Sequence, residues 1–437
     1  MSSLQPHAIA KMKFLQRQAA SLLLYQGVME GAIGRAFLHL LETLQRGDTP
    51  DSLQAYGDWF RVQAERCQSW QNYLLTQILR AENPFTRQAQ QSDLDILPRS
   101  LTAAARRDLG ILQTLYQCEG VQIALWVQAI AQLPDLPIIW EDAPDRVEKI
   151  EELPLRRKLA ALDNWGDGLE PLAAHYRRYG TGKFARNQAF RWQKGELRAI
   201  ANPDPVHLSQ LVGYESQREM LLKNTEFLLA GYPALNVLLY GSRGSGKSSL
   251  IKALLHRYGD RGLRLIEFAK SDLGALPEAI EQLRGVPQKF IIFVDDLSFE
   301  EDDDAFKALK VVLEGNLTAR PQNVAVYATS NRRHLVREFF EERPRPQDAD
   351  EVHHWDTVQE KLSFADRFGL TLTFEPPDQD AYLAIVRHLT NLAGLDIDPE
   401  DLDYRARQWA TRHNGRSGRT ARQFVDFLTA EFAVSEK

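Results

Sequence analysis

Gly241-Ser242-Arg243-Gly244-Ser245-Gly246-Lys247-Ser248 is the stretch that decides the architecture. It satisfies G-x-x-x-x-G-K-[ST] in full, with the apolar run Val237–Tyr240 before it and a helical stretch, Lys247–Tyr258, after it. The glycines let backbone N–H groups converge on phosphate oxygens without Cβ clashes. The start of the following helix adds about half a positive charge. Lys247 then reaches the β- and γ-phosphates, Ser248 is placed to ligate Mg²⁺, and Ser249 continues the loop into the helix. An accidental Gly/Ser turn would need neither the strand nor the helix.

The second half of such a site is an apolar strand ending in acids. Phe290-Ile291-Ile292-Phe293-Val294-Asp295-Asp296 supplies it, 48 positions after Lys247. Asp295 is expected to hold the Mg²⁺ water shell and Asp296 to polarise the attacking water. Asp at the second position is shorter than Glu by a methylene, roughly 1–1.5 Å, and positioning matters steeply, so slow hydrolysis is expected. Glu300 or Glu301 is an alternative base, although the run Glu300–Asp304 reads better as a solvated loop. A second Gly-Lys, in Tyr179-Gly180-Thr181-Gly182-Lys183-Phe184, has Phe where Ser or Thr must hold the metal and Arg177 in place of the first glycine. Ala269-Lys270-Ser271-Asp272 resembles a guanine-reading element only superficially, because it precedes the acidic strand and lacks the usual Asn or Thr. Adenine is the favoured base.

Working outward, short apolar runs at Asn236–Tyr240, Leu263–Phe268, Phe290–Val294, Asn323–Ala328 and Leu370–Phe374 alternate with helical stretches at Lys247–Tyr258, Leu276–Leu283, Ala305–Leu313 and His334–Phe340. This predicts an α/β fold, a P-loop NTPase parallel sheet flanked by helices. After Pro376-Pro377, three helices over Asp378–Leu392, Pro399–His413 and Arg419–Phe432 predict a small helical lid, with Asp398 capping Pro399. Residues 1–200 show helical periodicity at Ala8–Gln45, Leu53–Arg80 and Leu101–Leu133, with no strand pairs. The expected division is an N-terminal all-α domain at 1–174, a basic-aromatic linker at 175–210, the α/β core at 211–377 and the lid at 378–437.

The bulk composition narrows the class. Of 437 residues, 44% are apolar and 26% charged, which excludes a mainly disordered chain. The net charge is −6, and the acidity lies from residue 201 onward, with 29 basic against 37 acidic residues. Nothing there demands a polyanion. Cys67 and Cys118 cannot build a disulfide framework, which points to a reducing cytoplasm. No apolar run reaches the roughly 18–20 residues of a membrane span, and Ala19–Tyr25 lacks a signal-peptide pattern.

Further segments carry a resemblance. Residues 205–430 resemble the AAA+ ATPases. Leu211-Val212-Gly213-Tyr214 is similar to the segment that packs beside adenine in that family, which implies nucleotide contacts at Val212 and Gly213. Ala328-Thr329-Ser330-Asn331 resembles sensor 1 and implies that Asn331 orients the water near the γ-phosphate; a helix cap is the alternative. Asp366-Arg367-Phe368-Gly369 resembles the arginine-finger segment, and implies that Arg367 reaches a neighbouring subunit's nucleotide; a salt bridge with Asp366 is the alternative. Gly418-Arg419-Thr420-Ala421-Arg422 resembles sensor 2, with Arg419 at the γ-phosphate and Arg422 in reserve, among the nearby Arg412 and Arg416. Asp-Asp-Leu-Ser-Phe-Glu at 295–300, Thr-Ser-Asn-Arg-Arg-His at 329–334 and Arg-Ser-Gly-Arg-Thr-Ala-Arg-Gln-Phe at 416–424 are similar, together with Tyr179–Trp192, to a bacterial branch known only as a domain of unknown function.

The resemblance implies ATP and Mg²⁺ as cofactors, self-association into a hexameric ring, and a protein client recruited by the N-terminal domain. Lys270-Ser271-Asp272-Leu273-Gly274-Ala275-Leu276 occupies the position of a peptide-gripping tip but has no aromatic before Leu273-Gly274. The alternative is an ATP-dependent binding switch or loader with slow hydrolysis that acts on nucleic acid through Tyr176–Arg198, where Arg177, Arg178, Lys183, Arg186, Arg191, Lys194 and Arg198 interleave with Tyr176, Tyr179, Phe184, Phe190 and Trp192. Packing of that stretch on the protein itself is the favoured reading. Arg343–Trp355 reads as a polar contact loop, and adjacent His353 and His354 do not make a helical metal pair.

Overall fold

Seven strands form one sheet in a computed structural model that describes residues 6–142, 153–299, 304–314, 321–331, 367–413 and 415–435. They are β1 (Ala189–Gln193), β2 (Glu196–Ala199), β3 (Val237–Gly241), β4 (Leu263–Phe268), β5 (Lys289–Val294), β6 (Val324–Ser330) and β7 (Leu370–Phe374), in the spatial order β2-β1-β4-β5-β6-β3-β7. All neighbours run parallel except β1 and β2. The central strands are apolar at nearly every position because both faces are covered. Leu239, Ile291 and Tyr327 pack against the helices Glu215–Leu229 and Lys247–Tyr258, while Leu238, Ile292 and Val326 are as deeply buried on the opposite face. This is the α/β architecture expected from the P-loop sequence, and it sends the C-terminal ends of β3, β5 and β6 to one edge of the sheet.

The chain divides into two compact units, Met1–Arg186 and Asn187–Lys437. In the second, helices Gln379–Leu392, Pro399–Arg412 and Gly418–Ser435 follow the sheet and enclose a core of their own around Tyr382, Val386 and Leu428. Asp378 and Asp398 cap the first two through backbone N–H groups of Ala381 and of Glu400 and Asp401.

Among the described residues the first unit is built from helices only, joined in one apolar core that holds Trp59, Trp70 and Trp165. Its longest helices are Thr49–Arg66 and Arg99–Tyr116. Asp108, on the second of these, is fully buried and accepts the backbone N–H groups of Leu23, Leu24 and Tyr25 at 2.7–3.1 Å. The buried Tyr176 hydroxyl donates to the Ile78 carbonyl at 2.7 Å and pairs with Tyr25 at 3.2 Å. No helix among the described residues is long and apolar enough to cross a membrane.

Two expectations need correction. Residues 1–200 were expected to hold no strand pair, and 175–210 to be a linker. Instead, helix Leu169–Tyr179 and the short helix Gly182–Arg186 close the first unit, and β1 and β2 form an antiparallel hairpin that extends the sheet beside β4. The hairpin turns at Lys194 and Gly195, both left-handed at φ 53° and 80°, as a two-residue hairpin of the mirror-image type requires. Phe190 and Trp192 alternate inward, and Trp192 stacks on Phe268 with ring centroids 5.5 Å apart. The expected helix His334–Phe340, the polar excursion Arg343–Trp355, the acids Glu300–Asp303 and Asp366 lie outside the described residues.

Candidate functional site

Gly241 ends β3 at φ +140°, and a Cβ there would lie 1.9 Å from the Phe374 carbonyl oxygen, so the chain can leave the sheet only through glycine. The loop then runs to Gly246 at φ 89° and enters the helix at Lys247. Lys247 is 6% exposed, and its ammonium donates to the carbonyls of Gly241 at 3.0 Å and Ser242 at 2.7 Å. It also reaches Ser245 Oγ at 3.4 Å and Asn331 Oδ1 at 3.3 Å. Burial pushes this ammonium below the usual lysine range, Asp295 and Asp296 draw it back up, and Arg419 adds to the lowering.

Opposite the loop, Ser248 Oγ donates to Asp295 Oδ1 at 2.7 Å. Asn331 Nδ2 donates to Asp296 Oδ1 at 2.7 Å, so Asn331 bridges Lys247 and Asp296. Asp296 is left-handed at φ 51°. Its N–H donates to Thr329 Oγ1 at 3.0 Å and lies 3.2 Å from Asp295 Oδ1. Thr329 Oγ1 donates in turn to Asp295 Oδ1 at 2.5 Å. Sequence reasoning gave Thr329 no role. The signal was its place two residues before Asn331, at the C-terminal end of β6.

A cavity of about 460 Å³ opens between the loop, the paired aspartates and the C-terminal helices, a size suited to a nucleotide. The expected residues Val212, Gly213, Arg243, Gly244, Ser245, Gly246, Lys247, Ser248, Ser249, Asp295, Asp296, Asn331 and Arg419 all line it. Gly241 and Ser242 lie beneath the loop and serve it through their carbonyls. Apolar walls come from Leu211, Phe374, Ile385 and Leu389. Leu211 and Tyr214 also pack on the sheet core, whereas Val212 packs on the core of the last three helices.

Arg419 and Arg422 both face the cavity, while Arg416 donates to Gln379 Oε1 at 2.9 Å. The backbone N–H of Arg419 donates to the Gly244 carbonyl at 3.2 Å. That approach uses Gly418, where a Cβ would sit 3.0 Å from the same oxygen. Arg367 does not line the cavity of its own chain. It is held just before β7 by buried Phe368 and by Gly369, which abuts Leu235. The second Gly-Lys lies in the other unit, where a Cβ on Gly182 would meet Glu82 Oε2 at 1.9 Å; an acid at that position repels phosphate.

Two further expectations can be located. Leu273 is fully buried in the turn Lys270–Ala275, so that segment presents no gripping tip. Tyr176, Phe190 and Trp192 are at most 1% exposed. Arg177 pairs with Asp93 and Glu170, and Arg191 pairs with Glu267. The packing reading of Tyr176–Arg198 accounts for these residues.

No curated protein is matched by the chain. Among solved structures, the Thermotoga maritima RuvB Holliday junction branch migration motor is 15% identical over 51% of this chain and 72% of that one, with a TM-score of 0.32. AMPPCP-bound DnaA from Aquifex aeolicus is 19% identical over 50% of this chain and 64% of that one, with a TM-score of 0.34. The model of a family described as a protein of unknown function (DUF815) matches residues 185–432. With more than half its length so matched, and a P-loop facing paired aspartates across one cavity, the chain belongs to the DUF815 family.

Proposed function

We propose that this chain is an ATPase that binds ATP with Mg²⁺ in the cavity between its sheet and its last three helices and hydrolyses it to drive conformational change. The observation that carries this reading is the pair of linked contacts, Ser248 with Asp295 and Lys247 through Asn331 with Asp296. The Ser248 hydroxyl and the Asp295 carboxylate, side by side, are the hard oxygen donors that Mg²⁺ takes beside nucleotide phosphates. Ser248 and Asp295 would hold the ion, which neutralises phosphate charge when bound. Lys247 leaves its carbonyl partners for the β- and γ-phosphates. The purine sits against Val212, Gly213 and the apolar wall of Ile385 and Leu389. Asp296 accepts the proton of the attacking water, held in place by Asn331. Arg419, with Arg422 one turn on, meets the γ-phosphate from the helical side.

Arg367 stands outside its own cavity, which suits action on the nucleotide of an adjacent copy. We therefore infer a ring, with six subunits as the working number, located in the cytoplasm. The helical first unit recruits a protein client. Buried Leu273 argues that the client is remodelled by docking and release rather than by threading past that turn. Nucleic acid as the partner loses three of its five proposed stacking groups, because Tyr176, Phe190 and Trp192 are core residues while Tyr179 and Phe184 are half-buried.

The test is turnover by Asp296→Asn. It should bind ATP as the natural chain does and lose about 100-fold or more in steady-state phosphate release, the scale of removing a positioned base. Undiminished turnover would remove Asp296 from the chemistry. Absence of adenine-nucleotide binding by the natural chain would remove the ATPase reading altogether.

A further inference from the structure

Asp295 Oδ1 is crowded. It accepts from Ser248 Oγ at 2.7 Å and Thr329 Oγ1 at 2.5 Å, and the Asp296 N–H stands 3.2 Å away. Three donors converge on that one oxygen, and the described hydrogen bonds place none on Oδ2. A carboxylate pinned through one oxygen presents the other in a fixed direction.

The donor that does the pinning also sets the neighbouring acid. Thr329 Oγ1 gives its only proton to Asp295, and accepts the N–H of Asp296 at 3.0 Å. The backbone of Asp296 is left-handed at φ 51°, a conformation that crowds the Cβ of any residue but glycine and needs support from outside. Two more bonds sew the same turn to the end of β6. The Leu297 N–H donates to the Thr329 carbonyl at 2.7 Å, and Ser330 Oγ donates to the Leu297 carbonyl at 2.8 Å. Those two fasten the turn without touching either carboxylate. Among the described residues, Thr329, 2% exposed, is the one side chain hydrogen-bonded to both aspartates.

We propose that Thr329 is a positioning residue for the metal-bearing aspartate: its hydroxyl turns Asp295 so that Oδ2 faces the Mg²⁺ side of the site, and locks Asp296 in the strained backbone that aims its carboxylate at Asn331. This rests on the Mg²⁺–ATP reading above. A hydroxyl is required, because the group must donate to one residue and accept from the next. Serine meets that need; valine fills the same space and does not.

The experiment compares the natural chain, Thr329→Val and Thr329→Ser by titration with a fluorescent ATP analogue, once in EDTA and once in excess Mg²⁺. In EDTA all three should bind alike, since Lys247 and the loop are untouched. Mg²⁺ should tighten binding to the natural chain and to Thr329→Ser. Thr329→Val should lose about tenfold of that gain, the scale on which outer-shell partners alter metal affinity. Melting curves verify that each variant is folded. A Thr329→Val chain that keeps the full Mg²⁺ gain overturns the inference while leaving the ATP reading intact. So does a loss of binding of equal size in EDTA and in Mg²⁺, which marks a general defect of the site. If the natural chain binds nothing in either condition, the ATP reading itself fails.

Discussion

Asp108 in the helical unit and Asp295 in the α/β unit are both carboxylates that collect several donors, yet they end differently. Asp108 is sealed in the core, and both its oxygens are taken by the backbone N–H groups of three successive residues. Asp295 lies exposed at the end of β5 and gathers its donors on one oxygen. The first is a staple, whose acceptor capacity is consumed in holding Leu23–Tyr25. The second is half occupied and keeps an oxygen in reserve. Polar density alone therefore does not mark a site; remaining acceptor capacity at a cavity does. The family match obeys the same division, beginning at residue 185, two positions before the α/β unit starts.

Three measurements press on this contrast. The largest effect is expected from Asp108→Ala, which strands buried N–H groups at a cost of about 3–5 kcal/mol. For a unit of this size the melting point should fall on the order of 10 °C, read by circular dichroism. ATP affinity should be unchanged in that variant at temperatures below its melt. A parallel loss of nucleotide binding would show that Asp108 is no mere staple. The converse is Lys247→Ala, which should weaken ATP binding by roughly 100-fold, read by calorimetry, with no loss of melting temperature. A large drop in melting temperature would mean that this lysine, with its three loop contacts and its bond to Asn331, holds the fold as well as the phosphate. The smallest effect separates the two cysteines of the helical unit. Burial pushes the Cys118 thiol up to about 12, whereas Cys67 is exposed. A thiol reagent at neutral pH should therefore label Cys67 alone in the native chain and both residues in denaturant. Rapid native labelling of Cys118 would show that the helical core opens readily.

How much the sequence reveals follows from how local each cause is. The P-loop, the acidic strand and five parallel strands are legible because glycine spacing and continuous apolar runs are local properties. Boundaries moved by a residue or two, as with Val324–Ser330 in place of Asn323–Ala328. The hairpin at 189–199 escaped because its arginines drew the eye to charge, while the alternation of Phe190, Trp192 and Leu197 around Lys194-Gly195 carried the structural message. Thr329 escaped because its importance arises from a strand pairing, β5 beside β6, that no single segment contains. The Asp at 296, read as a shortened glutamate, has a structural reason: aspartate tolerates the left-handed backbone there better than a longer side chain does.

The main-chain hydrogen bond from Arg419 to the Gly244 carbonyl has a mechanical consequence. It ties the phosphate loop to the hinge end of the last helix without using any side chain. A phosphate that pulls the loop's peptide planes inward must therefore either drag that helix with it or break the tether. Because the tether is backbone, mutation can erase the arginine's charge and leave the lever arm attached. On the proposed ATPase reading, sensing and movement are thus separable, and a chain deaf to the γ-phosphate should still swing its helices when the loop rearranges.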